Sequence, residues 1–167
     1  MRHVTRVHLL RKQANVLVAG AGGTGSQVIT GLARLDRALR ALGHRGGLHV
    51  HVMDPDRVSE ANVGRQLFFD ADVGQYKADV LIHRINLAFG LNWQATPRLV
   101  TERNQMDDGI LMGCVDSARA RRALAKAATG CDYWLDCGNR AADGQVILGQ
   151  PRFTRYGGAT ITCACPW

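Results

Sequence analysis

The stretch from Val16 to Leu35, "VLVAGAGGTGSQVITGLARL", decides the fold. It reads as a buried strand, a glycine turn and an amphipathic helix, the way an α/β domain of the nucleotide-binding kind begins. "NVLVAG" (15–20) is continuously apolar, as a strand covered on both faces must be. The helix is expected from Thr24 to Leu42, with Val28, Ile29, Leu32, Leu35, Leu39 and Leu42 at helical spacing. It stops at "GHRGG", where Gly43, Gly46 and Gly47 supply C-cap and turn positions.

Working outward, strand-like and helix-like segments alternate. "LHVHVMD" (48–54) reads as the second strand, and "PDRVSEANVGRQLFFDA" (55–71) as loop and short turns. Asp72 is placed to cap a helix from Val73 to Phe89. "PRLVTE" (97–102) and "ILMGCVD" (110–116) read as strands, followed by the helix "SARARRALAKAA" (117–128). "YWLDCG" (133–138), "QVILG" (145–149) and "ATITC" (159–163) close the series. This order predicts a Rossmann-like, largely parallel sheet covered by helices on both faces, with antiparallel C-terminal strands. A single domain over residues 1–167 is expected.

Composition sets the outer limits. With 46% hydrophobic and 21% charged residues, the 167-residue chain has ordinary globular values. No apolar run approaches the roughly 20 residues of a membrane span. "MRHVTRVHLLRKQANVLV" has basic residues around a short apolar patch and no small-residue cleavage site, which reads as mature protein and points to the cytoplasm. The net charge of +7 fits a generally basic surface with arginines that hold phosphate. Sparse aromatics and the absence of a dense Lys/Arg block argue against nucleic acid, and an acidic protein partner stays open.

Gly20, Gly22 and Gly25 form G-x-G-x-x-G between strand and helix. Glycines let the backbone approach a phosphate, and the free N–H groups of a helix N-terminus attract anions. A tight strand-to-helix turn that binds nothing would have the same pattern. A nicotinamide site wants an acid ending the second strand about 20 residues on. Asp54 ends that strand but lies 29 residues past Gly25, because the intervening helix is long. It can hold a ribose hydroxyl with either cofactor.

The next residues separate the two. "DPDRVSEANVGRQLFFDADVGQYK" places Asn62, Arg65 and Gln66 in one loop and Lys77 early in the next helix. A dinucleotide has no general need of an arginine and a lysine aimed at its phosphates. A nucleotide whose phosphates are bent, neutralised and cleaved does. Either cation alone is ordinarily a solvated surface charge; the combination is the signal.

"GAGGTGS", "DPD", "N-x-x-RQ" and "DVGQYK" together resemble the adenylating core of the ThiF/MoeB/ubiquitin-activating (E1-like) family, over Val16 to Leu148. "GLARLDRALRALGH" and "DPDRVSEANVGRQLFF" are similar to the ThiF-like proteins of the PRTRC system, found with plasmids and other mobile elements. The resemblance implies ATP-dependent adenylation of the C-terminal carboxylate of a small ubiquitin-like or ThiS-like sulfur-carrier protein with a glycine-rich tail. It implies that Gly20, Gly22, Gly25 and Asp54 hold adenosine, that Asn62, Arg65 and Lys77 contact phosphate, and that Asp116 in "CVDS" supports Mg²⁺. Arg65, Lys77 and Asp116 are the implied catalytic set. The plainer reading of Asp116 is a helix N-cap. Family members usually work as dimers, some with an arginine reaching the partner's ATP; Arg2, Arg6 and Arg11 are the counterparts here, with no basis for choosing among them.

Two family features do not map. Many members hold Zn²⁺ through two C-x-x-C pairs, whereas Cys163 and Cys165 are spaced C-x-C. A four-thiolate site would need ligands from beyond Trp167 or from a second subunit, so Zn²⁺ is not expected in this chain. No cysteine matches an acyl-accepting position; Cys114 and Cys137 read as small core residues, and Cys163 or Cys165 as the more reactive. The six histidines show no repeated ligand spacing and read as surface or strand residues. The ending "TCACPW" is short for the family. Two alternatives stand beside adenylation: an NAD(P)-dependent oxidoreductase, and a non-catalytic nucleotide-binding interaction module of the same fold.

Overall fold

Val16, Val18, Val50 and Val52 are each exposed by 2% or less, and they lie at the centre of the sheet. In the computed structural model, which describes residues 4–139 and 143–151, β1 (Ala14–Ala19) and β2 (Leu48–Met53) pair in parallel with Val16 opposite Val50 and Val18 opposite Val52. β3 (Gln94–Thr96) lies outside β2, while β4 (Ile110–Gly113) flanks β1 on the other side. β5 (Tyr133–Asn139) follows in parallel, and β6 (Gly144–Gly149) pairs with it antiparallel. The order is β3-β2-β1-β4-β5-β6. Chain order reverses between β1 and β4, which opens a crevice at the carboxyl ends of the strands there. The predicted strand at 159–163 lies outside the described residues.

The alternation of side chains along each strand assigns two faces. The valine face of β1 and β2 packs with Ile29, Leu32, Ala33, Leu81 and Ile85 from α2 (Gly23–Ala41) and α3 (Lys77–Phe89). On the other face Leu17, Ala19, Met53 and Leu111 pack with Leu124 and Ala128, from α4 (Ala118–Ala127) and the turn after it. A short α1 (Val7–Arg11) precedes β1 and is tied by His8, whose Nε2 lies 2.7 Å from the buried Asp132 carboxylate.

Several sequence expectations shift. Leu35 and Leu42 are exposed, and Asp36 is buried in their place on α2: its Oδ1 accepts from Leu48 N at 2.6 Å and its Oδ2 from Arg40 Nε at 2.8 Å. Asp72 does not cap α3. It sits in a separate 3-10 turn (Asp70–Asp72), accepting from Phe69 N and Arg84 Nη2, and α3 begins only at Lys77. The strand expected at 97–102 is replaced by β3 at Gln94–Thr96, and residues 97–109 run to β4 without a helix. No helix among the described residues is long and apolar enough to cross a membrane.

Candidate functional site

A cleft of about 430 Å³ opens at the carboxyl ends of β1, β2 and β4, and its walls include Gly20, Gly22, Asp54, Arg65, Lys77 and Asp116. Residues spread over almost a hundred positions thus converge, because parallel strands deliver each following loop to the same edge of the sheet.

The three motif glycines do different jobs. Gly20 has φ +96°, and a Cβ there would stand 2.6 Å from the Cys114 carbonyl oxygen. A Cβ on Gly25 would collide with the Gly20 carbonyl oxygen. Those two are required by packing alone. Gly22 has its nearest neighbour 4.0 Å from such an atom, the Gln66 amide, and lies on the cleft wall at the N-cap of α2. Its missing side chain leaves room on the ligand side, where the first N–H groups of α2 begin.

Asp54 is buried at the end of β2. One carboxylate oxygen accepts from Ala21 N in the glycine turn, and the other accepts from Asp56 N at 2.7 Å. It therefore clasps the glycine loop to the second strand, with its remaining lone pairs the only capacity for a ribose hydroxyl. Burial pushes its carboxyl above the usual range, against the two backbone hydrogen bonds that favour the ionised form.

The cations differ in restraint. Lys77 is buried, with Nζ 3.1 Å from Asp56 Oδ2, and its backbone N–H donates to Asp56 O at 2.9 Å. Arg65 is exposed and its Nε makes one long contact, 3.4 Å, to Ala61 O. Asn62 is not on the cleft wall: its Oδ1 accepts from Ser59 N and Ser59 Oγ, bracing the 3-10 turn (Glu60–Asn62) that carries Arg65's loop. Asp116 follows β4 and is exposed at the cleft, with no hydrogen bond or ion pair to any described residue. It does not cap α4; Ser117 does, its Oγ accepting from Ala120 N at 3.2 Å.

Asp56 escaped the sequence reading, and Gln66 was noted there without a role. Asp56, in the middle of "DPD", partners Lys77. Gln66 lines the cleft with a buried Oε1 that has no hydrogen-bond partner, an acceptor for a donor on a ligand. Cys114 also reaches the wall, but burial, with Cys137 beside it, pushes its thiol up to about 12. It is no nucleophile at neutral pH. Cys137 and Cys131 are buried, while Cys163 and Cys165 lie outside the described residues.

No group of three or more His, Cys, Asp or Glu side chains among the described residues could hold a metal ion by itself. Asp116 is an exposed carboxylate on the cleft wall, of the type that binds Mg²⁺ together with the oxygens of a nucleotide.

Comparisons with known proteins bear on the family and the fold. The ThiF family model matches residues 7–154. The NEDD8-activating enzyme E1 catalytic subunit of Saccharomyces cerevisiae (strain ATCC 204508 / S288c) is 35% identical over 75 residues, 44% of this chain and 22% of the yeast protein. Among solved structures, E. coli tRNA N6-threonylcarbamoyladenosine dehydratase, TcdA, is similar with a TM-score of 0.55 at 25% identity, covering 72% of this chain and 48% of that one. A second structure, TcdA (CsdL), gives 0.51 at 26% identity over 70% and 45%. The chain spans less than half the length of each of these relatives.

Proposed function

Because this chain belongs to the ThiF family, we propose that it activates a carboxylate by adenylation, with ATP lying across the cleft at the ends of β1, β2 and β4. The observation that carries the reading is the meeting, at one cleft, of the glycine turn with Arg65, Lys77 and Asp116.

In this reading the phosphates lie over Gly22 and the N-terminus of α2, where backbone N–H groups and the helix dipole favour anions. Gly20, Gly25 and Asp54 shape the adenosine end, and Gln66 offers an acceptor to a ribose or adenine donor. A substrate carboxylate oxygen attacks the α-phosphorus; the bond from that phosphorus to the bridging oxygen breaks, and pyrophosphate leaves with the electron pair. Charge grows on phosphate oxygens as this happens, so the Lys77 ammonium, already held at the cleft, and the Arg65 fork reaching in from its exposed loop lower the barrier. The attacking carboxylate is already ionised, so no general base is needed. Mg²⁺, held by Asp116, would neutralise the leaving phosphates. Asn62 supports Arg65's loop from behind rather than touching phosphate.

The substrate is a small ubiquitin-like or sulfur-carrier protein ending in a glycine-rich tail, and the working form is a cytoplasmic homodimer. The finer placement with the PRTRC-system proteins rests on "GLARLDRALRALGH" and "DPDRVSEANVGRQLFF". A second acyl source comes from the TcdA likeness: a carboxylate carried on a modified tRNA nucleoside.

ATP–pyrophosphate exchange, run with candidate small proteins and separately with tRNA, tests the reading. Exchange that Arg65→Ala abolishes supports it. NAD(H) binding without exchange would make the protein an oxidoreductase, and ATP binding without exchange under any substrate would leave a non-catalytic module.

A further inference from the structure

Asp116 has no side-chain partner among the described residues, so what fixes it there acts on the backbone on either side. On one side Cys114 N donates to Ala19 O at 2.8 Å, and on the other Ser117 caps α4. Between them lies the Val115 carbonyl. It accepts from Arg121 Nη2 at 2.8 Å, the guanidinium reaching back from the second turn of α4. The other arm of the same guanidinium, Nε, donates to Asp136 Oδ2 at 3.1 Å on β5. Asp136 is buried, its side chain 11% exposed, so it cannot swing to follow a different arginine position.

Gly138 lies beside the same guanidinium, whose flexible end would have to shift for any side chain placed there. It lies two residues along β5 on the same face as Asp136, and a Cβ there would stand 2.8 Å from Arg121 Nη2. The strand thus offers a seat, acid at one end and bare backbone at the other, shaped for a planar fork. A lysine could hold one of the two acceptors, not both.

We propose that Arg121, seated on Asp136 and Gly138, is a positioning residue that sets Asp116 toward the cleft by gripping the Val115 carbonyl. The inference rests on the reading of Asp116 as the acid that faces Mg²⁺ and the nucleotide phosphates. Removing the grip leaves Asp116 in the chain but lets its backbone drift, so the loss falls on metal-dependent nucleotide binding rather than on binding as such.

The test is Mg²⁺ titration of the full chain with a fluorescent ATP analogue, set beside binding of the same analogue in EDTA. Asp116→Ala raises the Mg²⁺ concentration for half-maximal binding, and Arg121→Ala, Arg121→Lys and Gly138→Ala raise it by about tenfold, the usual scale for groups that orient a metal ligand. Binding in EDTA stays unchanged in the Arg121 and Gly138 variants. The double variant Asp116→Ala/Arg121→Ala goes no further than Asp116→Ala alone. Should Arg121→Ala be insoluble, Arg121→Lys and Gly138→Ala carry the test, with hydrogen exchange of the 114–118 amides as a readout of the loosened turn. A shift in Asp116→Ala with none in the Arg121 and Gly138 variants, a rescue by lysine, or additive effects in the double variant overturns the positioning role alone. An unchanged midpoint in Asp116→Ala overturns the reading of Asp116 and this inference with it.

Discussion

Lys77 and Asp56 meet at the cleft with Nζ 3.1 Å from Oδ2, the lysine side chain 9% exposed and the aspartate 64%. A buried ammonium needs a partner, and here the partner is an acid that water already solvates. A nucleotide phosphate arriving in the cleft competes for the same ammonium and meets the repulsion of Asp56. Lys77→Ala therefore weakens ATP binding by about 10–100-fold, the scale of a hydrogen bond to a charged group. Asp56→Asn tightens it severalfold. Calorimetric titration measures both, and weaker binding in Asp56→Asn would mean that Asp56 is itself a ligand contact.

The motif glycines are separable by experiment. Gly25→Ala must displace the Gly20 carbonyl and lowers stability by about 1–3 kcal/mol, the usual cost of overpacking. Gly22→Ala keeps stability, because its extended backbone suits alanine and nothing crowds the new methyl, yet it loses ATP affinity. Urea midpoints beside nucleotide titrations give both readings for each variant; a Gly22→Ala protein of full affinity would place the phosphates elsewhere.

Cys114 gives a pH signature. With its thiol pushed up to about 12, the thiolate fraction at pH 8 is on the order of one in ten thousand. Alkylation followed by peptide mass spectrometry finds Cys114 essentially unmodified at pH 7–8, and its rate rises tenfold per pH unit while the fold holds. Rapid labelling at pH 7 would restore Cys114 as a nucleophile.

Asp36 is a folding residue with no part in the cleft. Asp36→Ala strands the Leu48 N–H inside the protein and costs about 1–3 kcal/mol, read as a lower urea midpoint with ATP affinity unchanged. Asp36→Asn, which keeps the acceptor, loses less. An unmoved midpoint in Asp36→Ala would show that water reaches the Leu48 N–H.

How far the sequence was readable depends on the range over which each signal acts. β1, α2 and β2 are legible because hydrophobic period and glycine turn are local, and Gly20, Asp54 and Asp116 because each closely follows a strand in a recognisable short motif. Asp36 escaped, since its burial depends on Leu48 N, twelve residues on, which no helical period can announce. Asp72 looks like a cap in sequence but is spent on Phe69 N and Arg84 in its own turn. The β3 error has a similar cause: "PRLVTE" has strand character, but the register with β2 stops at Thr96 opposite Met53, and the chain then leaves the sheet. Arg121 was invisible because one of its acceptors lies in the turn after β4 and the other on β5, some twenty residues away.

Residues 97–109 carry Leu99 and Val100 to the cleft on a segment that contains no helix. The walls at Gly20, Asp54, Lys77 and Asp116 are anchored at or near strand ends and helix starts, where any insertion would disturb the sheet. This one can lengthen, shorten or change side chains while the phosphate-handling groups stay fixed. Under the proposed adenylation, selection can thus retune which carboxylate fits against that wall while the cleft's charged groups stay fixed, which leaves substrate choice and chemistry free to evolve apart.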